Sequence, residues 1–118
     1  MKPAFAAFAA AICLLAGASF APASAAAADA ASARDTLREN NCFRCHAFKK
    51  EKDGPTWYKV AEKYRGRADA EERLVRHLSG KGVALFADGH EEKHRAIKPG
   101  WWNGENEIRN LVQWILSL

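Results

Sequence analysis

At 118 residues the chain has room for one small domain with a modest core. Its 18 basic residues against 14 acidic ones give a formal charge of +4, an excess too small to suggest nucleic acid; no dense basic block and no DNA- or RNA-binding motif accompanies it. A mildly basic surface can still steer the chain to acidic partners.

Met1-Lys2 is a short positive start, and Ala4 to Phe20 is almost all small or apolar. Ala21-Pro22-Ala23-Ser24-Ala25 then supplies an Ala-x-Ala step. That is the layout of a secretory signal peptide, residues 1–25, with cleavage expected near Ala25 and export to the periplasm. A retained membrane anchor would want a longer run without a cleavage site. No stable membrane insertion of the mature chain, residues 26–118, is therefore expected. Cys13 lacks the small preceding residue of a lipoprotein acceptor and is expected to leave with the leader.

Residues 26–33 are low in complexity and read as a frayed lead-in. Arg34 to Asn40 reads as a helix, with Leu37 as its main apolar contact and Asn40-Asn41 as its stop. It delivers the chain to Cys42-Phe43-Arg44-Cys45-His46. Two thiols three positions apart, followed at once by an imidazole, form the attachment pattern of a c-type haem. Each thiol can add to one vinyl group of the porphyrin, and His46 then lies where it can bind the iron as proximal ligand. A zinc site would want a second ligand pair, and a redox dithiol of thioredoxin type would want a βαβ pattern; neither is visible. A structural disulfide leaves His46 unexplained.

Lys49 to Asp53 is a charged surface loop. Gly54-Pro55 shapes a turn, and the Pro55 carbonyl is a candidate acceptor for the free ring N–H that a ligating histidine usually donates. Trp57, Val60, Ala61 and Tyr64 follow i, i+3, i+4, i+7, a helix with one apolar face; some of its contacts would be with the porphyrin. Gly66 ends it. Asp69 is placed to cap the next helix, with Glu72 at capping-box spacing. Leu74, Val75 and Leu78 form that helix's buried stripe, Gly80 stops it, and His77 falls off the stripe as a surface residue. Trp101-Trp102 is placed to cover the haem edge or to seat against the fold. Ile108, Leu111, Val112, Ile115 and Leu116 mark the clearest helix, with Asn103 or Asn106 as cap and Trp114 placed to brace the first helix. No strand-period alternation of useful length appears, so the chain is expected to be all-α.

From Leu37 to Leu118 the chain resembles class I cytochromes c, in particular the short bacterial cytochromes of the c-551/c-552 and c5 type. The resemblance rests on the Cys42–His46 motif, Gly54-Pro55, Trp57 with Val60-Ala61 and Lys63-Tyr64, the Gly80-Lys81-Gly82 turn, and Leu111-Val112-Gln113-Trp114-Ile115-Leu116. It implies four to five short helices wrapped around one haem c held through Cys42 and Cys45. It further implies that His46 is the proximal ligand, that Pro55 receives its N–H, that Trp57 and Tyr64 lie in the haem site, and that the first and last helices cross. The expected role is that of a one-electron carrier serving redox partner proteins rather than an enzyme.

One departure bears directly on function. Such proteins usually place a methionine on the far side of the iron, and the only methionine here is Met1. The loop between Gly82 and Asn103 offers His90 and His94 instead, and also Lys93 and Lys98, which must first lose a proton. Counting forward from Gly82 favours His90, and counting back from the last helix favours His94. If the segment is helical, both share a face with Phe86 and Ile97. The apolar Ile97 one turn from His94 tips the choice to His94. A His/His pair would lower the reduction potential, because methionine raises it. If neither histidine binds, the iron has an open position, and gas binding or peroxidase-like activity becomes the alternative.

Overall fold

The computed structural model describes residues 26–98 and 104–118. The expected leader, Pro99-Gly100, Trp101-Trp102 and the cap candidate Asn103 all lie outside the described residues.

The first helix, α1 (Ala30–Glu39), starts earlier than the expected Arg34. The alanine-rich lead-in is helical because alanine loses no side-chain entropy in a helix. It also has its own cap: Asp29 Oδ1 accepts from the backbone N–H of Ala31 at 2.9 Å and of Ser32 at 3.0 Å. Asn110 then clamps the Asp29 backbone, accepting its N–H at 2.7 Å and donating to its carbonyl at 2.9 Å. Ala33 is consequently fully buried. Asn40 closes the helix, and Asn41 follows in the left-handed region at φ 56°.

Helix α2 (Trp57–Tyr64) buries Trp57 and Ala61, as its spacing predicts, and Thr56 caps it by accepting from Lys59 N–H at 3.1 Å. Helix α3 (Ala70–Arg76) buries Ala70 and Leu74. Asp69 stands at its N-cap position, but its side chain makes no cap hydrogen bond. Arg67 and then Arg73 engage its carboxylate and hold it below the usual carboxylate range, so ion pairing displaces the expected capping box. The helix runs into a wide π-type turn, His77–Lys81, broken at Gly80 with φ 85°.

The segment around His90 and His94, helical only as one possibility, is instead a short hairpin within the expected helical fold. Strand β1 (Val83–Leu85) pairs antiparallel with β2 (Glu91–Lys93), with Val83 opposite Lys93 and Leu85 opposite Glu91. The reason is local: Asp88-Gly89 forms a tight turn in which Gly89 takes φ 89° and donates to the Phe86 carbonyl at 2.9 Å. The rest is helical as expected. Helix α4 (Gly104–Leu116) buries Ile108, Leu111, Val112, Trp114 and Ile115. Asn106 lies inside its first turn rather than at its cap.

Helices α1, α2 and α3 all pack on α4, and Leu37, Leu111 and Val112 are the largest fully buried side chains. The Arg34 guanidinium lies 5.9 Å from the centre of the Trp114 ring, so the tryptophan braces α1 as expected. Arg109 on α4 reaches Glu71 on α3 at 2.9 Å and Glu105 on its own helix at 2.7 Å. These ion pairs are solvent-accessible and contribute little; apolar burial holds the helices together.

Candidate haem site

The attachment motif folds as a single 3-10 turn, Cys42–Arg44, in which Cys45 N–H and His46 N–H both donate to the Cys42 carbonyl, at 3.2 and 3.0 Å. That turn keeps both thiols close to His46. Both are free and half-exposed, available for thioether formation. Burial pushes the Cys42 thiol up, while Arg95 pulls the other way. The charged loop after the motif returns through two hydrogen bonds, Gly54 N–H to Cys45 carbonyl at 2.9 Å and Trp57 N–H to Ala47 carbonyl at 3.1 Å. The return sets Pro55 beside His46, with His46 Nδ1 2.6 Å from the Pro55 carbonyl oxygen. A carbonyl can only accept, so Nδ1 carries the proton and Nε2 keeps the lone pair a metal needs.

The ring is wedged as well as hydrogen-bonded. Trp57 stacks on His46 with centroids 5.8 Å apart and planes 29° apart. Trp57 is in turn packed edge-on by Phe43 at 5.0 Å and Phe48 at 5.1 Å, and Phe48 continues to Trp114 at 5.9 Å. On another side Gly54 leaves the space: a Cβ there would sit 2.5 Å from His46 Cε1. Tyr64, at the far end of α2, is half-buried with Arg67 and Lys63 over its ring. Among the described residues no ring contact joins it to His46, His77 or His94.

Across from His46 stands His94. The ring centroids are 6.2 Å apart. Metal–imidazole bonds of roughly 2 Å on opposite sides of one ion put two ring centres roughly 6 Å apart. The His94 backbone N–H donates to the Gly82 carbonyl at 2.9 Å, and His94 Nδ1 lies 2.9 Å from the Arg95 carbonyl. Downstream, Ile97 is buried and its N–H donates to Leu78, while Lys98 N–H donates to the Asn40 side chain. These anchors hold the loop against α1 and the turn after α3. Burial lowers the His94 pKa, the Arg95 carbonyl opposes this, and nearby His46 lowers it further.

His90 is elsewhere. It is exposed at the hairpin tip, stacked on Phe86 at 4.3 Å. Asp88 engages its Nδ1, and Glu92 lies 3.5 Å from its Nε2. Both ring nitrogens thus face carboxylates, and no ring contact brings His90 to His46. His77, expected on the surface, is half-buried with its ring centre 4.3 Å from that of His94. Burial pushes its pKa down to about 4, with further contributions from His94, His46 and Lys63. A sequence signal for this position exists: Leu74, His77 and Leu78 keep i, i+3, i+4 spacing, so His77 borders the buried stripe.

Two thiols, an oriented imidazole and a second imidazole at metal-bridging distance fit the donor set of a covalently held haem. Comparison with known proteins gives the family and the fold. The class 1 cytochrome MtoD from Sideroxydans lithotrophicus ES-1 superposes with a TM-score of 0.69 at 53% identity, over 77% of this chain and 97% of that one. Cytochrome c552 of Nitrosomonas europaea, at 24% identity and a TM-score of 0.55 over 72% and 98% of the two chains, shares the fold. Cytochrome c-552 of Hydrogenobacter thermophilus is 30% identical over 81 residues, 69% of this chain and 76% of that protein. With the cytochrome c family profile matching residues 30–118, the chain belongs to the cytochrome c family, as a class I monohaem member that carries covalently bound haem c.

Proposed function

We propose that this cytochrome is an exported one-electron carrier whose iron is held by His46 on one side and His94 on the other. The observation that carries the reading is the matched pair of imidazoles: ring centres 6.2 Å apart, each Nδ1 facing a backbone carbonyl, Pro55 at 2.6 Å and Arg95 at 2.9 Å. Donation from Nδ1 leaves each Nε2 as the ligating atom and fixes each ring before any metal arrives. The sequence supports the same choice, since its only methionine is Met1, inside the expected leader of residues 1–25. Haem c supplies the one-electron couple.

The protein's own residues do the rest. Cys42 and Cys45 tether the cofactor. Trp57 and Gly54 set the His46 ring, and the Gly82 carbonyl holds the His94 backbone. With His46 and His94 as ligands the iron would be closed to substrate, which suits electron transfer. The potential is expected to lie below that of a histidine–methionine relative. Lys49, Lys50 and Lys52 are exposed on the loop after the motif and offer positive charge to acidic redox partners. Among the described residues no helix is long and apolar enough to cross a membrane.

The test is the visible and near-infrared spectrum of the purified holoprotein in both oxidation states, with carbon monoxide added to the reduced form. A low-spin iron with two nitrogen ligands and no rapid carbon monoxide binding is expected. Rapid and complete binding would overturn the closed site and favour a gas-binding or peroxidase-like role.

A further inference from the structure

Two imidazoles, not one, stand on the side of the site facing His46. His94 is the first. His77 is the second, its ring centre 4.3 Å from that of His94. We propose that His77 is a reserve iron ligand, which takes the sixth position when His94 leaves it. The proposal rests on the reading that His94 is the sixth ligand.

Three observations support a built arrangement rather than a chance neighbour. First, Gly82 serves both histidines at once. Its carbonyl accepts the His94 N–H at 2.9 Å, and its missing side chain seats the His77 ring: a Cβ on Gly82 would lie 2.1 Å from His77 Nδ1. Second, His77 is presented by ordered backbone: its φ of −59° and ψ of −48° are helical, and the helical path stops only at Gly80, where φ is 85°. Third, among the described residues no hydrogen bond ties up either ring nitrogen of His77. His90 differs on every count, being exposed, stacked on Phe86 and facing carboxylates.

A histidine that merely filled space beside His94 could be replaced by an apolar side chain with no effect on the iron. A reserve ligand has a distinct signature. The exchange breaks one iron–nitrogen bond and makes another between imidazoles, so it needs no oxidant, reductant or other co-reactant. The consequence for an electron carrier is that loosening of the hairpin segment around His94 would not open the iron to small molecules.

The experiment uses the full holoprotein and four variants: His77→Ala, His94→Ala, His94→Gln and His94→Ala/His77→Ala. Visible spectra, near-infrared magnetic circular dichroism and carbon monoxide binding are recorded for each. Wild type and His77→Ala should both be low-spin, because His94 is in place. His94→Ala and His94→Gln should remain low-spin with two nitrogen ligands. The double variant should turn high-spin and bind carbon monoxide rapidly, and added imidazole should restore its low-spin spectrum, which shows the pocket intact. A His94→Gln protein that is high-spin like the double variant overturns the proposal. So does a double variant that stays low-spin, which would assign the ligand to a lysine, or a His77→Ala protein that is already high-spin. A wild type that is high-spin overturns the axial pair itself and is seen before any variant is made.

Discussion

At the scale of single residues, the site is shaped as much by missing side chains as by those present. Gly54 is the sharpest case. A Cβ there would lie 2.5 Å from Cε1, 2.8 Å from Nδ1 and 2.9 Å from Nε2 of His46, a collision across the whole ring. The ring cannot step aside, since Trp57 stacks on it and Nδ1 is held to Pro55. Gly54→Ala should therefore cost about 1–3 kcal/mol of holoprotein stability, read by denaturant titration, and should perturb the iron's absorption bands. An unchanged spectrum and midpoint would show the ring to be less constrained than its neighbours suggest. The residues most legible in the sequence are those whose chemistry is local in the chain. Cys42, Cys45 and His46 carry their own spacing, and Pro55 follows within one short loop. His77 is not legible in the same way, because what surrounds it depends on His94, a partner brought back by the hairpin between them.

At the scale of elements, periodicity locates α2 and α4 well and misjudges two other segments for physical reasons. The lead-in to α1 reads as structureless because alanine has no amphipathic contrast, yet Asp29 caps it and Asn110 clamps it from the opposite end of the chain. Phe86, His90, His94 and Ile97 fit one helical face equally well on paper, but Asp88-Gly89 is the stronger signal and turns the chain back as a hairpin. Two glycines allow these turns to be tested separately. Gly89 has φ 89°, and a Cβ added there would meet nothing within 4 Å, so Gly89→Ala carries only the left-handed penalty, about 1–2 kcal/mol. Gly80 has φ 85° and would in addition bring a Cβ to 2.9 Å from Ala96 Cβ. Gly80→Ala should therefore be the more destabilising of the two by thermal unfolding. It should also disturb the iron's spectrum, since it displaces the turn carrying His77 and the segment leading from His94. Equal losses in the two variants would mean that the Ala96 contact relaxes freely.

At the scale of the whole molecule, the stabilising core and the chemistry occupy different parts of one small fold. Leu37, Leu111 and Val112 are fully buried where α1 meets α4, while His46 and His94 lie half-buried between the motif loop and the hairpin strand β2. The aromatic chain from Trp57 through Phe48 to Trp114 is the bridge between these regions. This division predicts that stability and axial ligation can be changed independently. Leu111→Ala opens a cavity in the dry core and should cost about 2–5 kcal/mol. In a domain of this size that lowers Tm by roughly 10 °C or more. The covalent tether and the proposed His46–His94 pair are untouched, so the visible spectrum should stay that of the wild type. Substitution at His94 tests the opposite case: the helix core is unaltered, and the change should appear in carbon monoxide binding once His77 is also removed. Measuring Tm and spectrum together on Leu111→Ala and on the His94→Ala/His77→Ala pair separates the two. A Leu111→Ala protein whose iron turned high-spin at room temperature would show that core packing sets the distance between His46 and His94, contrary to an axial pair positioned by local carbonyls and glycines.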